Sequence, residues 1–127
     1  MSEEMSAGTE ALAADLALAG IRLAASGNAL LMKGALNIKN DWRTSASGLK
    51  HAPLYPASIT FDVIPTPTVL AAEIGPDKNR PQGALGNLIE YGSVKNPPHL
   101  DGARALAAEE PRFYEAASNA AAEAVFE

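Results

Sequence analysis

Histidines and carboxylates are the residues most able to bind a metal or move a proton. His99 and Asp101 lie two residues apart, but the only other histidine, His51, is distant in the sequence. A metal site needs three or four ligands, so we predict no metal and interpret His99 as a loop residue beside a helix cap. The chain has no cysteine, which excludes disulfides and thiolate sites.

Three carboxylates could provide an acid–base pair, namely Asp62, Glu73 and Glu90. Asp62 and Glu73 fall on predicted strands, opposite the apolar residues, where solvated carboxylates are expected. No serine has the flanking glycines of a nucleophile elbow, and Gly83 and Gly86 match neither a dinucleotide fingerprint nor a P-loop. We therefore predict that the chain is not an enzyme and that it binds no cofactor.

A basic stretch consists of Lys33, Lys39, Arg43 and Lys50, with Trp42 among them. Such a stretch could contact nucleic acid, although scattered cations more often form a solvated helix face. The net charge of −5 is unusual for a protein that grips phosphates. A small soluble regulatory or nucleic-acid-binding protein is therefore the alternative function.

A polar loop carries Lys78 and Arg80 between Pro76 and Pro81. The prolines stiffen the loop, and polar loops on small domains often carry contacts. A solvated connection between a hairpin and a helix is the other interpretation.

Three glycines, Gly20, Gly27 and Gly34, recur every seven residues near one face of the first helical region. Each weakens a helix by about 1 kcal/mol relative to alanine. The pattern predicts either a broken pair of helices or a small-residue groove that accepts a neighbouring helix.

The elements that position these residues follow from the apolar periodicity. Helical spacing from Leu12 to Trp42 predicts a long N-terminal helix, or a broken helix pair, over residues 10–44. Residues 58–64 and 69–74 each alternate apolar and polar side chains around a short proline turn. These two runs predict an antiparallel hairpin.

The C-terminal part is predicted to be mainly helical. Residues 84–91 fit one helical face, although a strand is the alternative. Asp101 is predicted to cap a helix that ends near Glu109, and Pro111 to lie in the first turn of a new helix that reaches the C-terminus.

We also predict that Glu90 and Tyr91 are structural. Tyr91 is expected to bury its ring, as large aromatic side chains do in cores. Gly92 is expected at a positive φ, or where a side chain would clash.

Together these elements define an α+β fold, in which a small antiparallel sheet packs against the N-terminal and C-terminal helices. We predict a single domain over residues 1–127, with residues 1–8 as a flexible tail.

Apolar residues make up 47% of the chain but aromatic residues only 6%, so the core is expected to be thin and alanine-rich. No apolar run approaches the roughly 20 residues of a bilayer span, and the acidic start differs from a secretory signal; we expect a soluble protein made in a cytoplasm.

Four segments carry a resemblance to a known family: Ala-Pro-Leu-Tyr-Pro-Ala-Ser-Ile at 52–59, Glu-Ile-Gly-Pro-Asp-Lys at 73–78, Gln-Gly-Ala-Leu-Gly-Asn-Leu-Ile-Glu-Tyr-Gly-Ser at 82–93 and Asn-Pro-Pro-His at 96–99. Their order, followed by an alanine-rich helix, resembles the siphophage head–tail connector or tail-completion (neck) protein family. The prototype of that family is the tenth gene product of a lambdoid coliphage, and the similarity is greatest to members from phages of actinobacteria.

The family pattern is a long N-terminal helix, a loop, a strand that starts near a Ser-Ile pair, a Glu-aromatic-Gly motif, a proline loop and a final helix. The chain departs from it before the first strand. Ser-Gly-Leu-Lys at 47–50 stands where many members have Thr-Gly-x-Leu and a basic residue, and an extra His-Ala-Pro stretch follows.

The resemblance implies a structural protein of a bacteriophage virion, located at the neck or the top of the tail, with a part in tail assembly in the host cytoplasm. It implies a closed ring, six-fold or twelve-fold. The implied partners are other copies of the chain and phage connector, tail-terminator or tail-tube proteins, with passive proximity to DNA and no membrane.

A rotational ring is built from head-to-tail contacts, so each subunit uses two different faces. One face is expected to include Gly20, Gly27 and Gly34. The other is expected to include the loop with Lys78 and Arg80, which would meet acidic groups on the C-terminal helix of a neighbour, for example Glu109, Glu110 and Glu115.

Overall fold

A computed structural model describes residues 27–65 and 70–126 of the chain. The elements in chain order are α1 (residues 27–45), α2 (Tyr55–Ser58), β1 (Ile59–Pro65), β2 (Leu70–Pro76), a 3-10 turn (Gly83–Leu85), α3 (Gly86–Tyr91) and α4 (Asp101–Phe126). The α+β fold class expected from the sequence is confirmed. No helix in the described ranges combines the length and apolarity needed to cross a membrane.

The two strands form the expected antiparallel hairpin, in which Ile59 lies opposite Pro76 and Pro65 lies opposite Leu70. The strands begin and end one or two residues later than the alternation predicted. Ser58, which was expected in the first strand, ends α2 instead, where its buried hydroxyl donates to the carbonyl of Tyr55 at 2.6 Å.

Helix α1 lies along the hairpin. The Arg43 guanidinium donates to the carbonyl of Ile59, at 2.8 Å from Nε and 2.6 Å from Nη2. One turn earlier, the Lys39 ammonium lies 5.8 Å from the centre of the Phe61 ring, within the range of a cation–π contact. Helix α1 is continuous through Gly34, while residues 10–26 of the predicted helical region lie outside the described part.

Helix α4 packs antiparallel to α1. The start of α4 contacts the end of α1, and the middle of α4 contacts the middle of α1. A side chain at Gly102 would lie 2.6 Å from the Trp42 ring, and one at Gly34 would lie 3.0 Å from the Phe113 ring. Both glycines therefore allow a close approach between the two helices.

The prediction that Pro111 separates two helices is wrong, since α4 runs without interruption from Asp101 to Phe126. A proline inside a helix removes one hydrogen bond and costs about 3 kcal/mol. The chain tolerates it because contacts with α1 hold α4 on both sides, at Gly102 before the proline and at Phe113 after it.

The core is small, as the low aromatic content predicted. Its buried centre consists of Ala46, Ala52, Tyr55 and Ile59, and the partly buried side chains around it are Trp42, Leu49, Ile74 and Ile89. Five of the eight buried apolar residues in the described ranges are alanines. Alanine lets backbones approach closely but adds little buried area, so much apolar surface stays on the outside.

Candidate functional site

The first turn of α4 is capped by a side chain from α3. Glu90 is only 6% exposed, and its two carboxylate oxygens accept from the backbone N–H groups of Gly102 at 2.9 Å and Ala103 at 3.1 Å. These N–H groups have no acceptor within their own helix, and a carboxylate there also suits the helix dipole. We call the packed region around Trp42, Tyr55, Glu90 and Gly102 the junction.

The sequence predicted Asp101 as the cap of this helix, and that prediction is wrong. Asp101 is the first helical residue and is buried, with its Oδ1 accepting from Arg104 at 2.9 Å. Glu90 reaches the helix end because the N–H groups of His99 and Leu100 donate, each at 3.0 Å, to the carbonyls at the end of α3. These two bonds hold α3 against the start of α4.

For the two residues after Glu90, one prediction is wrong and one is confirmed. Tyr91 is 70% exposed, contrary to the expectation of a buried ring. Successive side chains on a helix point about 100° apart, so turning Glu90 towards α4 turns Tyr91 outward. Gly92 has φ +80°, and a Cβ there would lie 2.7 Å from the nitrogen of Pro98. Both conditions expected for Gly92 are therefore confirmed.

The junction also contains two buried polar atoms, the Tyr55 hydroxyl and the Trp42 indole nitrogen. Among the described residues neither has a hydrogen-bond partner of good geometry. Burial raises the pKa of Tyr55, the Trp42 indole partly opposes this, and the charges of Glu90 and Asp101 raise it further. Tyr55 therefore stays neutral and serves as a packing residue.

The other two carboxylates singled out by the sequence lie on the hairpin, whereas Glu90 is bound to the start of α4. Asp62 and Glu73 lie directly opposite each other across the hairpin, and both are exposed. His99 Nδ1 lies 3.9 Å from the Asp101 carboxylate. Within the described ranges, no group of three or more potential ligands could hold a metal ion.

The basic stretch is divided by internal contacts. Arg43 is committed to the hairpin carbonyl of Ile59, and Lys39 lies over the Phe61 ring. Lys33 and Lys50 remain exposed. Two of the four cations in the stretch thus have contacts inside the chain, and the other two are exposed.

The loop with Lys78 and Arg80 is held by several hydrogen bonds. Arg80 Nη1 donates to the carbonyl of Ala57 at 3.3 Å, and Arg80 Nε lies 3.8 Å from the Asp77 carboxylate. Gln82 adopts φ +63°, and its side-chain oxygen accepts from the N–H of Leu54 at 2.6 Å. Lys78 is exposed, so the loop presents this cation from a well-fixed backbone.

One of the acidic partners expected for this loop is occupied within the chain. Glu109 is 4% exposed; its Oε1 accepts from the Asn37 amide at 3.2 Å and its Oε2 lies 2.9 Å from Arg112. Glu109 is therefore engaged inside the chain, and its contact with a neighbouring subunit stays a prediction. Glu110 and Glu115 are exposed.

The small-residue stripe is likewise used inside the chain where it is described. Gly34 receives the Phe113 ring, and a Cβ at Gly27 would lie 2.6 Å from the Leu70 side chain. Gly20 lies outside the described residues. A contact of these glycines with a neighbouring subunit stays a prediction.

An apolar groove between α1, β2 and α4 is a feature that sequence reasoning missed. It encloses about 770 Å³ and is lined mainly by Leu31, Ala35, Ile38, Ala72, Ile74, Leu106, Phe113 and Tyr114. The charged residues in its described lining are two glutamates, Glu109 and Glu110, with no cation. The lining residues come from three distant segments, so no local pattern reveals the groove.

The described residues place buried carboxylates and exposed apolar surface in different parts of the structure. The most deeply buried carboxylates bind backbone amides or arginines, whereas the groove and the outer face of α4 offer apolar surface. None of the known protein families, curated proteins and solved structures compared with the chain matches it.

Proposed function

We propose that the chain is a structural virion protein of a tailed bacteriophage, part of the head-to-tail connector or neck, which joins or completes the tail at the head. The observation that carries this proposal is the order of motifs. A Ser-Ile pair stands at the start of β1, a Glu-aromatic-Gly motif ends α3, and a proline loop leads into the final helix. This is the order of the neck-protein family that the sequence resembles.

The positions of the motif residues support a structural role. Ile59 is fully buried in the core, Glu90 caps α4, and Gly92 lets the chain pass close to Pro98. Each of these residues fixes one element against another. Motifs of this kind are expected in a protein whose activity is to hold a shape.

Exposed apolar side chains support assembly with other chains. On α4, Leu106, Tyr114 and Val125 are 51%, 76% and 66% exposed, and on α1, Met32 is 53% exposed. Leu106 and Tyr114 line the same apolar groove, and a contiguous apolar surface often marks an interface. The proposal therefore includes a ring of six or twelve copies that contacts other neck, tail-terminator or tail-tube proteins, located at the top of the tail and with no catalytic activity.

The experiment is a knockout in a phage that carries the gene. A stop codon is expected to give full heads and complete tails that do not join, as seen by electron microscopy. Wild-type protein supplied in trans should restore infectious particles. Normal titres from the knockout would overturn the proposal.

A matched pair of charge reversals separates this function from nucleic-acid binding. Lys78→Glu changes an exposed cation of the loop between β2 and α3, and Lys50→Glu changes an exposed cation of the basic stretch. We expect Lys78→Glu to impair head–tail joining and Lys50→Glu to leave it normal. If only Lys50→Glu impairs the phage, and the wild-type protein binds DNA with a steep salt dependence, the alternative function is favoured.

A further inference from the structure

The hairpin has two outer edges, and their backbone groups can be assigned from the register. The N–H of Asp77 donates to the carbonyl of Ser58 at 2.8 Å, which makes these residues a hydrogen-bonded pair. Such pairs alternate with non-hydrogen-bonded pairs in an antiparallel ladder, and the backbone groups of the latter point outward. The outward-facing residues are therefore Ile59, Phe61, Val63 and Pro65 on β1, and Leu70, Ala72, Ile74 and Pro76 on β2.

The outer edge of β1 is closed at its two ends, whereas Phe61 and Val63 between them keep an outward N–H and carbonyl. The carbonyl of Ile59 is occupied by Arg43, and Pro65 has no N–H to offer. These are common ways of blunting an edge strand.

Among the described residues, the outer edge of β2 has no backbone partner. Leu70, Ala72 and Ile74 each keep an outward N–H and carbonyl, and in the described part of the chain no backbone hydrogen bond from another element reaches them. A row of unpaired groups of this kind is a template for a further strand.

The space beside this edge suits an extended segment. Ala72 and Ile74 line the apolar groove, and Leu106 and Phe113 lie on its α4 wall. A third strand would lie about 4.8 Å from β2 and place every second side chain in the groove. A helix would fill the groove but leave the N–H groups of the edge without partners.

The charges around the edge indicate what the other side chains should be. Asp62 and Glu73 lie opposite each other on the exposed face of the hairpin, and like charges in such a pair are destabilising. A basic residue on an added strand beside Glu73 would relieve this repulsion. A second copy of the hairpin would instead bring another Asp62 and Glu73 to the same face.

We propose that the β2 edge binds an extended segment of another protein as a third strand, with apolar side chains in the groove and basic side chains beside Glu73. Backbone hydrogen bonds would give affinity, and the groove would select the alternating side chains. This binding does not depend on the virion role, so it can be tested whether or not the knockout experiment succeeds.

The first test uses the wild-type full chain and a labelled peptide, acetyl-Lys-Val-Lys-Val-Lys-Val-Lys-amide. Two further peptides carry N-methyl groups, one on all valines and the other on the inner lysines. In an added strand, either the valine N–H groups or the lysine N–H groups face β2, and the other set points away. One N-methylated peptide should therefore lose binding, and the other should keep it. Loss with the valine set indicates an antiparallel strand, and loss with the lysine set a parallel one. Equal binding of all three peptides, equal loss with both N-methylated peptides, or no binding of the parent peptide overturns the proposal.

The second test uses a pair of proline variants matched by register. Ala72 and Val63 are partners across the hairpin, and the N–H of each points outward, so proline at either site spares the internal ladder. We expect Ala72→Pro to weaken peptide binding about tenfold or more, the size of one lost hydrogen bond with its contacts, and Val63→Pro to leave it unchanged. Circular dichroism confirms that both variants fold; if one does not, the N-methylated peptides decide alone.

Two outcomes contradict the proposal in distinguishable ways. If Ala72→Pro folds and binds the peptide as wild type does, the groove does not act through the strand edge. If the wild-type chain self-associates and Ala72→Pro abolishes that association while no peptide binds, the occupant is a second copy. Replacing lysine by glutamate in the peptide should weaken binding, and Glu73→Lys should reverse that preference.

Discussion

The junction and the groove are two contacts of the same helix, α4, and they are completed differently. At the junction, Gly102 lies against Trp42 and the first N–H groups of α4 are bound by Glu90. In the groove, Leu106 and Tyr114 remain about half or more exposed, beside a strand edge that has no backbone partner among the described residues. The junction is closed by residues of the chain itself, whereas the groove retains apolar surface that a partner can cover. Substitutions in the junction should therefore reduce stability, and substitutions in the groove should reduce binding.

The largest effect is expected for Tyr55→Ala in the junction. Tyr55 is fully buried at the centre of the core, and truncating a large buried aromatic side chain costs about 3–5 kcal/mol. Urea unfolding followed by Trp42 fluorescence measures this loss. Tyr55→Phe is the matched control, because it keeps the ring and removes a hydroxyl that has no partner among the described residues; its unfolding free energy should be close to that of wild type. A loss below about 0.5 kcal/mol for Tyr55→Ala, the range of surface substitutions, would show that the junction does not hold the fold.

The next effect concerns the cap. Glu90→Ala leaves the buried N–H of Gly102 and the partly buried N–H of Ala103 without a side-chain acceptor, which costs about 1–3 kcal/mol. Glu90→Gln keeps one acceptor oxygen and should lose less. Glu110→Ala, at an exposed glutamate of the groove, serves as the control and should leave the thermal midpoint unchanged. Equal midpoints for Glu90→Ala and Glu110→Ala would contradict the assignment of Glu90 as a cap.

The hairpin and the surroundings of the junction show which features could be predicted from the sequence and which could not. The hairpin was predictable because the two-residue alternation of a strand is a local property, and Gly92 because a tight connection limits the allowed residue type. The cap was not, since Glu90 lies 12 residues before its acceptor site at Gly102, and Asp101 is the nearer candidate. The continuity of α4 depends on Phe113 packing at Gly34, a contact that overrides the local signal of Pro111.

The groove was beyond sequence reasoning for a different reason. Its lining residues lie on α1, β2 and α4, and in each segment the apolar residues have the spacing of an ordinary core face. Only the folded arrangement distinguishes residues that are covered from those that remain exposed. The strand edge is equally invisible, because its outward residues are defined by the register between β1 and β2.

A smaller effect is expected at alkaline pH. Burial raises the pKa of Tyr55 in the folded chain, so above about pH 10, the ordinary range for tyrosine, the unfolded chain loses this proton first. The folded state then binds more protons than the unfolded state, and the unfolding free energy falls as the pH rises. Tyr55→Phe should remove this part of the decline. Parallel pH profiles of the wild type and Tyr55→Phe, measured by urea unfolding, would show that Tyr55 does not contribute.

The smallest change in stability is expected for Tyr114→Ser in the groove. Tyr114 is 76% exposed, so its substitution should alter the unfolding free energy by no more than about 0.5 kcal/mol. Its ring nevertheless lines the groove beside the β2 edge, and its loss should weaken binding of the lysine–valine peptide several-fold. Tyr91→Ser is a matched control, since Tyr91 is 70% exposed but lies on α3, away from the groove lining. If Tyr114→Ser destabilises the chain as much as Glu90→Ala does, the groove belongs to the core. If Tyr114→Ser and Tyr91→Ser have the same effect on peptide binding, the groove is not the surface that the partner covers.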